Sequence, residues 1–132
     1  MQGRLIGLHF FNPAPISPLI EVIVPADVEP TITDAALALV EQLGKTAIRS
    51  GDTPGFIVNR LLIPHLNRAL GLATSLGDAR QVDAVFRDKY GFPLGPCRLV
   101  DLIGADTVLL IQRNLHDAFP DDAEPPHAML ED

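Results

Sequence analysis

The feature that most constrains the fold of this chain is a change in hydrophobic spacing near residue 52. Before it, apolar runs at residues 4–11 and 19–24 predict two strands, and a shorter run at 46–49 is compatible with a third. Between them the pattern predicts a helix, with its N-cap within residues 31–34 and Gly44 at its end. Because so few elements cannot cover both faces of a parallel sheet, residues 1–52 are expected to form the incomplete edge of an α/β domain.

After the Ser50–Gly55 segment, the apolar residues follow helical spacing, so residues 53–132 are expected to form an all-α domain. Asp78 predicts a helix N-cap, Gly95-Pro96 a helix start and Gly104 its end. A further amphipathic helix is predicted from residue 106 to 118. Pro64 lies inside the first long helical run and is expected to kink it.

Composition excludes some function classes. The formal net charge of −7 argues against nucleic-acid binding, and an anionic ligand would need a local basic patch. The single cysteine, Cys97, rules out an intrachain disulfide and favours a reducing, cytoplasmic compartment. No apolar run approaches the roughly 20 residues of a membrane span, so no membrane association is expected.

Two polar residues interrupt the predicted strands. His9 stands near the end of the first strand, where a structural histidine is more common than a catalytic one. Glu21 lies in the middle of the second strand; it either has a buried partner or faces water on an edge strand. A proline-rich turn over residues 12–18 could bring the two side by side. The carboxylate would then orient the imidazole as a general base.

The other candidates are weaker on residue type alone. Asn12 fits ordinary turn chemistry, and Asn59, near the start of the helical part, fits a solvent-exposed position. Cys97 has no neighbouring base in sequence and is not expected to be a nucleophile. The remaining histidines lack metal-ligand spacing, so no metal site is predicted. The chain contains no G-x-G-x-x-G and no P-loop motif.

Several ordered motifs nevertheless resemble the L-3-hydroxyacyl-CoA dehydrogenase family, and the resemblance covers nearly the whole chain. The first is His-Phe-Phe-Asn-Pro at residues 9–13. The others follow in the family's order and spacing: Leu-Ile-Glu-Val at 19–22, Gly-Lys at 44–45, Asp-Thr-Pro-Gly-Phe-Ile-Val-Asn-Arg at 52–60, Gly-Phe-Pro-Leu-Gly-Pro at 91–96 and Asp-Leu-Ile-Gly at 101–104.

The resemblance implies the C-terminal part of a Rossmann-type NAD-binding domain at residues 1–52, followed by the family's helical domain at 53–132. It implies oxidation of a 3-hydroxyacyl-CoA to the 3-ketoacyl-CoA with NAD as the hydride acceptor, in fatty-acid metabolism. By the same resemblance His9 is the catalytic base, Glu21 its orienting partner, Asn59 a substrate-binding residue and Asn12 a contact to the nicotinamide side of NAD. The helical domain is implied to form a homodimer and one wall of the acyl cleft.

The chain also departs from the family pattern. It contains neither the glycine-rich loop that holds the NAD pyrophosphate nor the active-site serine expected about twenty residues before His9. We therefore expect it to be part of a longer dehydrogenase and inactive alone. The alternatives are a non-catalytic dimerisation or acyl-binding module of the same descent, or an enzyme of the superfamily that acts on another hydroxy substrate, such as a sugar acid.

Overall fold

A computed structural model describes residues 3–131 and divides the chain into two compact units, one ending at Ile57 and the other beginning at Val58. The first unit holds three strands and one helix, and the second holds the remaining helices. The predicted fold class, an incomplete α/β part followed by an all-α part, is confirmed.

The first unit is built on a three-stranded sheet. Its elements are β1 (Gly7–Phe10), β2 (Leu19–Val24), α1 (Pro30–Gln42) and β3 (Thr46–Gly51). β2 lies in the middle, antiparallel to β1 and parallel to β3. β1 is shorter than the predicted strand at 4–11, and β3 runs two residues past the predicted end at 49.

Helix α1 starts earlier than the sequence suggested. The N-cap is Glu29, which makes no side-chain cap bond, and Pro30 opens the helix, so the predicted N-cap within residues 31–34 is wrong. Proline suits this first position because its φ angle is already helical and its missing N–H would have had no partner in the helix. At the other end Gly44 adopts a φ of 68° and its N–H donates to Glu41 O, which confirms the predicted glycine stop.

The two faces of the sheet differ in chemistry. Ile20 and Val22 of β2 are fully buried and pack against Ala36 and Val40 of α1. Since side chains alternate along a strand, Glu21 lies on the face opposite α1. The apolar face thus holds the unit together and leaves the other face for the polar pair.

The second unit contains α2 (Val58–Leu76), α3 (Ala79–Tyr90), α4 (Pro96–Ile103), α5 (Ala105–Ala118) and a short 3₁₀ turn, Ala128–Leu130. The Asp78 cap, the Gly95-Pro96 start and the break at Gly104 are confirmed. α2 continues through Pro64, and the kink stays a prediction. No helix within residues 3–131 has the length and apolar character needed to cross a membrane.

Buried amide side chains tie the C-terminal segment to this helical core. Asn67 of α2 donates to Pro125 O (3.0 Å) and accepts from the His127 N–H (2.7 Å). Gln112 of α5 donates to Glu124 O (2.6 Å). The segment after α5 is therefore fastened by side chains rather than by regular secondary structure.

The start of α4 is capped from a neighbouring helix. Its own N-cap residue, Gly95, has no side chain, and the carboxylate of Asp83 on α3 accepts from the N–H groups of Cys97 (2.8 Å) and Arg98 (3.1 Å) instead. A single carboxylate thus serves as a helix cap and links two helices.

Replacing Asp83 should destabilise the helical unit. We expect Asp83→Ala to lower the free energy of unfolding by about 1–2 kcal/mol, because two helix N–H groups lose their acceptor. Urea denaturation measures the change. The control is Asp88→Ala, an exposed position on the same helix; equal losses in both variants would show that Asp83 does not act as a cap.

Candidate active site

His9 and Glu21 face each other across β1 and β2. The strand register places the two residues directly opposite, and the His9 Nδ1 to Glu21 Oε2 distance is 2.6 Å. The Glu21 side chain is fully buried, whereas 31% of the His9 side chain is exposed. A carboxylate can only accept, so Nδ1 is the donor of this bond, and in the neutral imidazole the lone pair then lies on Nε2.

The second carboxylate oxygen of Glu21 is held by the backbone. The N–H of Ile57 donates to Glu21 Oε1 at 2.9 Å. The preceding residues, Gly55 and Phe56, have φ angles of 75° and 46°, so both adopt the left-handed region. For phenylalanine this conformation costs roughly 1–2 kcal/mol, which implies that the bond it allows to Glu21 offsets the strain.

Aromatic rings flank the imidazole. The centroid of the His9 ring lies 4.6 Å from that of Phe11 and 5.7 Å from that of Phe56, both with tilted planes. The carboxylate fixes Nδ1 and the rings limit rotation of the imidazole, so the direction of Nε2 is set by three neighbours.

The alternative of a water-facing Glu21 on an edge strand is wrong. β2 is the central strand of the sheet, and the Glu21 side chain has no exposure. The predicted pairing of His9 with Glu21 is what the structure shows.

The two asparagines occupy different units. Asn12 is exposed in the loop after β1, three residues beyond His9. Its carboxamide can both donate and accept, so it could pair with another carboxamide. Asn59 lies half-buried on the first turn of α2 in the second unit. The structure thus brings Asn12 onto the same hairpin as His9 and Glu21, and it places Asn59 on a separate element.

Sequence reasoning missed the backbone contribution to the pair. Phe56 and Ile57 belong to a recognised motif, but their roles were not predicted. The sequence did contain a signal. A buried carboxylate needs several donors, and the Pro54-Gly55 turn, which follows the strand that pairs with β2, could supply backbone N–H groups.

Cys97 and the remaining histidines lie outside this pair. Cys97 is buried, and desolvation together with the nearby carboxylates of Asp83 and Asp101 raises its thiol pKa to about 11. A protonated thiol is a poor nucleophile. Within residues 3–131, no group of three or more His, Cys, Asp or Glu side chains is arranged to hold a metal ion.

Removing the Glu21 carboxylate should be costly. We expect Glu21→Ala to lower the free energy of unfolding by about 3 kcal/mol, because the Ile57 N–H and His9 Nδ1 lose a buried acceptor. Urea denaturation of the chain provides the value. Glu41→Ala, at an exposed position on α1, is the matched control; a loss under 1 kcal/mol at Glu21 would argue against the buried bonds.

The thiol of Cys97 should react slowly. With a pKa of about 11, its thiolate fraction at pH 8 is small, and alkylation by iodoacetamide should be at least ~100-fold slower than that of free cysteine. Unfolding in urea should restore the ordinary rate. Rapid alkylation of the folded chain would revive Cys97 as a candidate nucleophile.

Comparison with known proteins extends these observations. Residues 1–53 match the model of the 3-hydroxyacyl-CoA dehydrogenase NAD binding domain, and residues 55–132 match that of the C-terminal domain of the same family. A 3-hydroxybutyryl-CoA dehydrogenase of Clostridioides difficile is 36% identical over 128 residues, which cover 96% of this chain and 46% of that protein.

Solved structures give the same result. FadB2 of M. tuberculosis superposes with a TM-score of 0.92 at 33% identity, over 98% of this chain and 46% of its own. The (S)-3-hydroxybutyryl-CoA dehydrogenase PaaH1 of Ralstonia eutropha gives 0.89 at 37% identity, over 96% and 45%. The chain thus spans less than half the length of these relatives. With both of the family's domain models matched, the chain belongs to the 3-hydroxyacyl-CoA dehydrogenase family.

Proposed function

We propose that these residues form the base-bearing part of an NAD-dependent dehydrogenase that oxidises an L-3-hydroxyacyl-CoA to the 3-ketoacyl-CoA. The observation that carries the proposal is the His9–Glu21 pair, a half-exposed imidazole on a fully buried carboxylate. Membership of the family supports the same reaction class.

In this proposal His9 is the general base and Glu21 its positioning partner. Nε2 of His9 accepts the proton of the substrate hydroxyl, and the ring becomes an imidazolium. The buried carboxylate on Nδ1 stabilises that positive charge, because a charge pair in a poorly solvated site is screened little by water. Phe11 and Phe56 keep the ring directed while the proton moves.

The described residues fit the nicotinamide end of NAD. The exposed carboxamide of Asn12 matches the carboxamide of a nicotinamide ring in donor and acceptor character. When bound, NAD supplies the hydride acceptor. The 132 residues contain no glycine-rich pyrophosphate loop, so we propose that the chain alone is inactive.

We assign substrate positioning to Asn59 and dimer formation to the helical unit. Asn59 is half-buried on the first turn of α2 and carries an amide suited to binding a carbonyl. Leu61, Leu72 and Leu76 are exposed on the same helix, and Leu72 and Leu76 are neighbours one turn apart. These leucines are apolar surface that a second copy or an acyl chain could cover.

We also propose a cellular setting. The relatives are named for 3-hydroxybutyryl-CoA, so we propose a role in fatty-acid metabolism, including β-oxidation. The single free cysteine supports a reducing, cytoplasmic location.

Within the length of a full relative, activity should depend on His9. We expect a hybrid, in which these residues replace the matching 128 residues of the Clostridioides difficile relative, to form NADH from (S)-3-hydroxybutyryl-CoA. His9→Asn should lower kcat by about 10²–10⁴-fold, because the hydroxyl proton loses its acceptor. His127→Asn, which can still cap the C-terminal turn, is the control.

A folded but inactive hybrid would contradict the proposal, as would full activity of His9→Asn. The isolated chain is expected to form no NADH. The alternative function, a non-catalytic dimerisation or acyl-binding module, rests on the exposed leucines of α2. It predicts an inactive hybrid together with a dimer of the isolated chain by light scattering.

A further inference from the structure

Lys45 makes contacts that the proposed reaction does not explain. Its ammonium Nζ donates to two backbone carbonyls of the loop between β1 and β2, Ala14 O at 2.8 Å and Ser17 O at 2.6 Å. These partners lie 31 and 28 residues away in sequence. In the sequence this lysine stands out only as part of the Gly-Lys motif at residues 44–45, and the structure shows that its ammonium binds the loop.

The loop offers few backbone donors of its own. Among residues 12–18, Pro13, Pro15 and Pro18 have no backbone N–H. The N–H groups of Ile16 and Ser17 both donate to Pro13 O (3.0 and 2.9 Å), so they cannot serve the loop's other carbonyls. An ammonium with three donors meets this shortage and makes charge-assisted bonds, which are stronger than neutral ones.

The end of α1 fixes where Lys45 can act. Gly44, in the left-handed conformation, turns the chain out of the helix and directly into β3. Thr46 follows Lys45 in sequence, and its N–H donates to Pro18 O at 2.7 Å. Lys45 and Thr46 together therefore fasten the far end of the loop to the start of β3.

We propose that Lys45 is a positioning residue that holds the loop carrying Asn12 in the conformation that binds the nicotinamide group. Asn12 lies between β1, which is fixed by the sheet, and the Pro13–Ser17 turn, which Lys45 fixes. Its backbone is thus held from both sides. The role given to Asn12 rests on the proposed function; the clamp itself rests on the contacts of Lys45.

The clamp acts on the loop and not on the base. His9 is oriented by strand pairing, by Glu21 and by the rings of Phe11 and Phe56. Loss of the ammonium should therefore loosen residues 14–17 while the His9–Glu21 pair persists. This separation distinguishes a positioning role from a general contribution to stability.

The test uses the ¹⁵N-labelled chain with the variants Lys45→Met and Lys45→Arg. In Lys45→Met we expect amide exchange at Ile16 and Ser17 to quicken about tenfold, with Ile20 and Val22 of β2 unchanged. Titration with nicotinamide mononucleotide should shift the Asn12 side-chain amide in the wild type and at least tenfold more weakly in Lys45→Met. Without nucleotide, the His9 ring signals of Lys45→Met should match those of the wild type. In Lys45→Arg the guanidinium, with five donors, should restore slow exchange and the nucleotide-induced shift of Asn12 in part.

Lys89→Met is the matched control, since Lys45 and Lys89 are the two lysines of the chain and Lys89 is exposed on α3. If Lys45→Met does not fold, wild-type spectra decide, because the Lys45 ammonium protons should exchange more slowly than those of Lys89. Exchange that quickens equally across all three strands, or an unchanged loop, would overturn the clamp. If nicotinamide mononucleotide does not shift the Asn12 signal of the wild type, the cofactor contact is refuted. The exchange data then still test whether Lys45 holds the loop.

Discussion

The buried carboxylate of Glu21 is the constraint on which the first unit depends. An ion removed from water costs several kcal/mol unless donors surround it. Here those donors come from His9 on β1 and from the Ile57 N–H after β3. Both must arrive at one side chain, so the antiparallel β1–β2 register and the left-handed turn at Phe56 are both required.

The middle strand can carry this charge because its alternate side chains point to opposite faces of the sheet. Ile20 and Val22 pack on α1 and supply apolar burial, while Glu21 faces the other way. The result is a proton acceptor, Nε2 of His9, on a sheet whose opposite face is an ordinary hydrophobic core. Phe56 of the strained turn contacts the imidazole, and neither this turn nor the loop held by Lys45 belongs to that core.

Much of this could be predicted because the signals were local. The order of elements, the Gly44 stop and the Asp78 cap depend on residues a few positions apart. The His9–Glu21 pairing could be predicted because Glu21 is the one charge in an apolar strand, and a short turn joins that strand to the strand of His9. Phe56 and Lys45 could not be assigned in this way, because their roles are set by partners distant in sequence. The start of α1 at Pro30 was missed because the polar side chains within residues 31–34 were taken as the N-cap candidates.

The most direct measurement of the central claim is the protonation pattern of the His9 ring, read from long-range ¹H–¹⁵N couplings at neutral pH. If Glu21 orients the base as described, the neutral form of the ring carries its proton on Nδ1, and its Nε2 shows the shift of an unprotonated acceptor nitrogen. A ring protonated on Nε2 and bare on Nδ1 would contradict the account, because Glu21 would then accept no hydrogen bond from the imidazole and Nε2 could not accept the substrate proton.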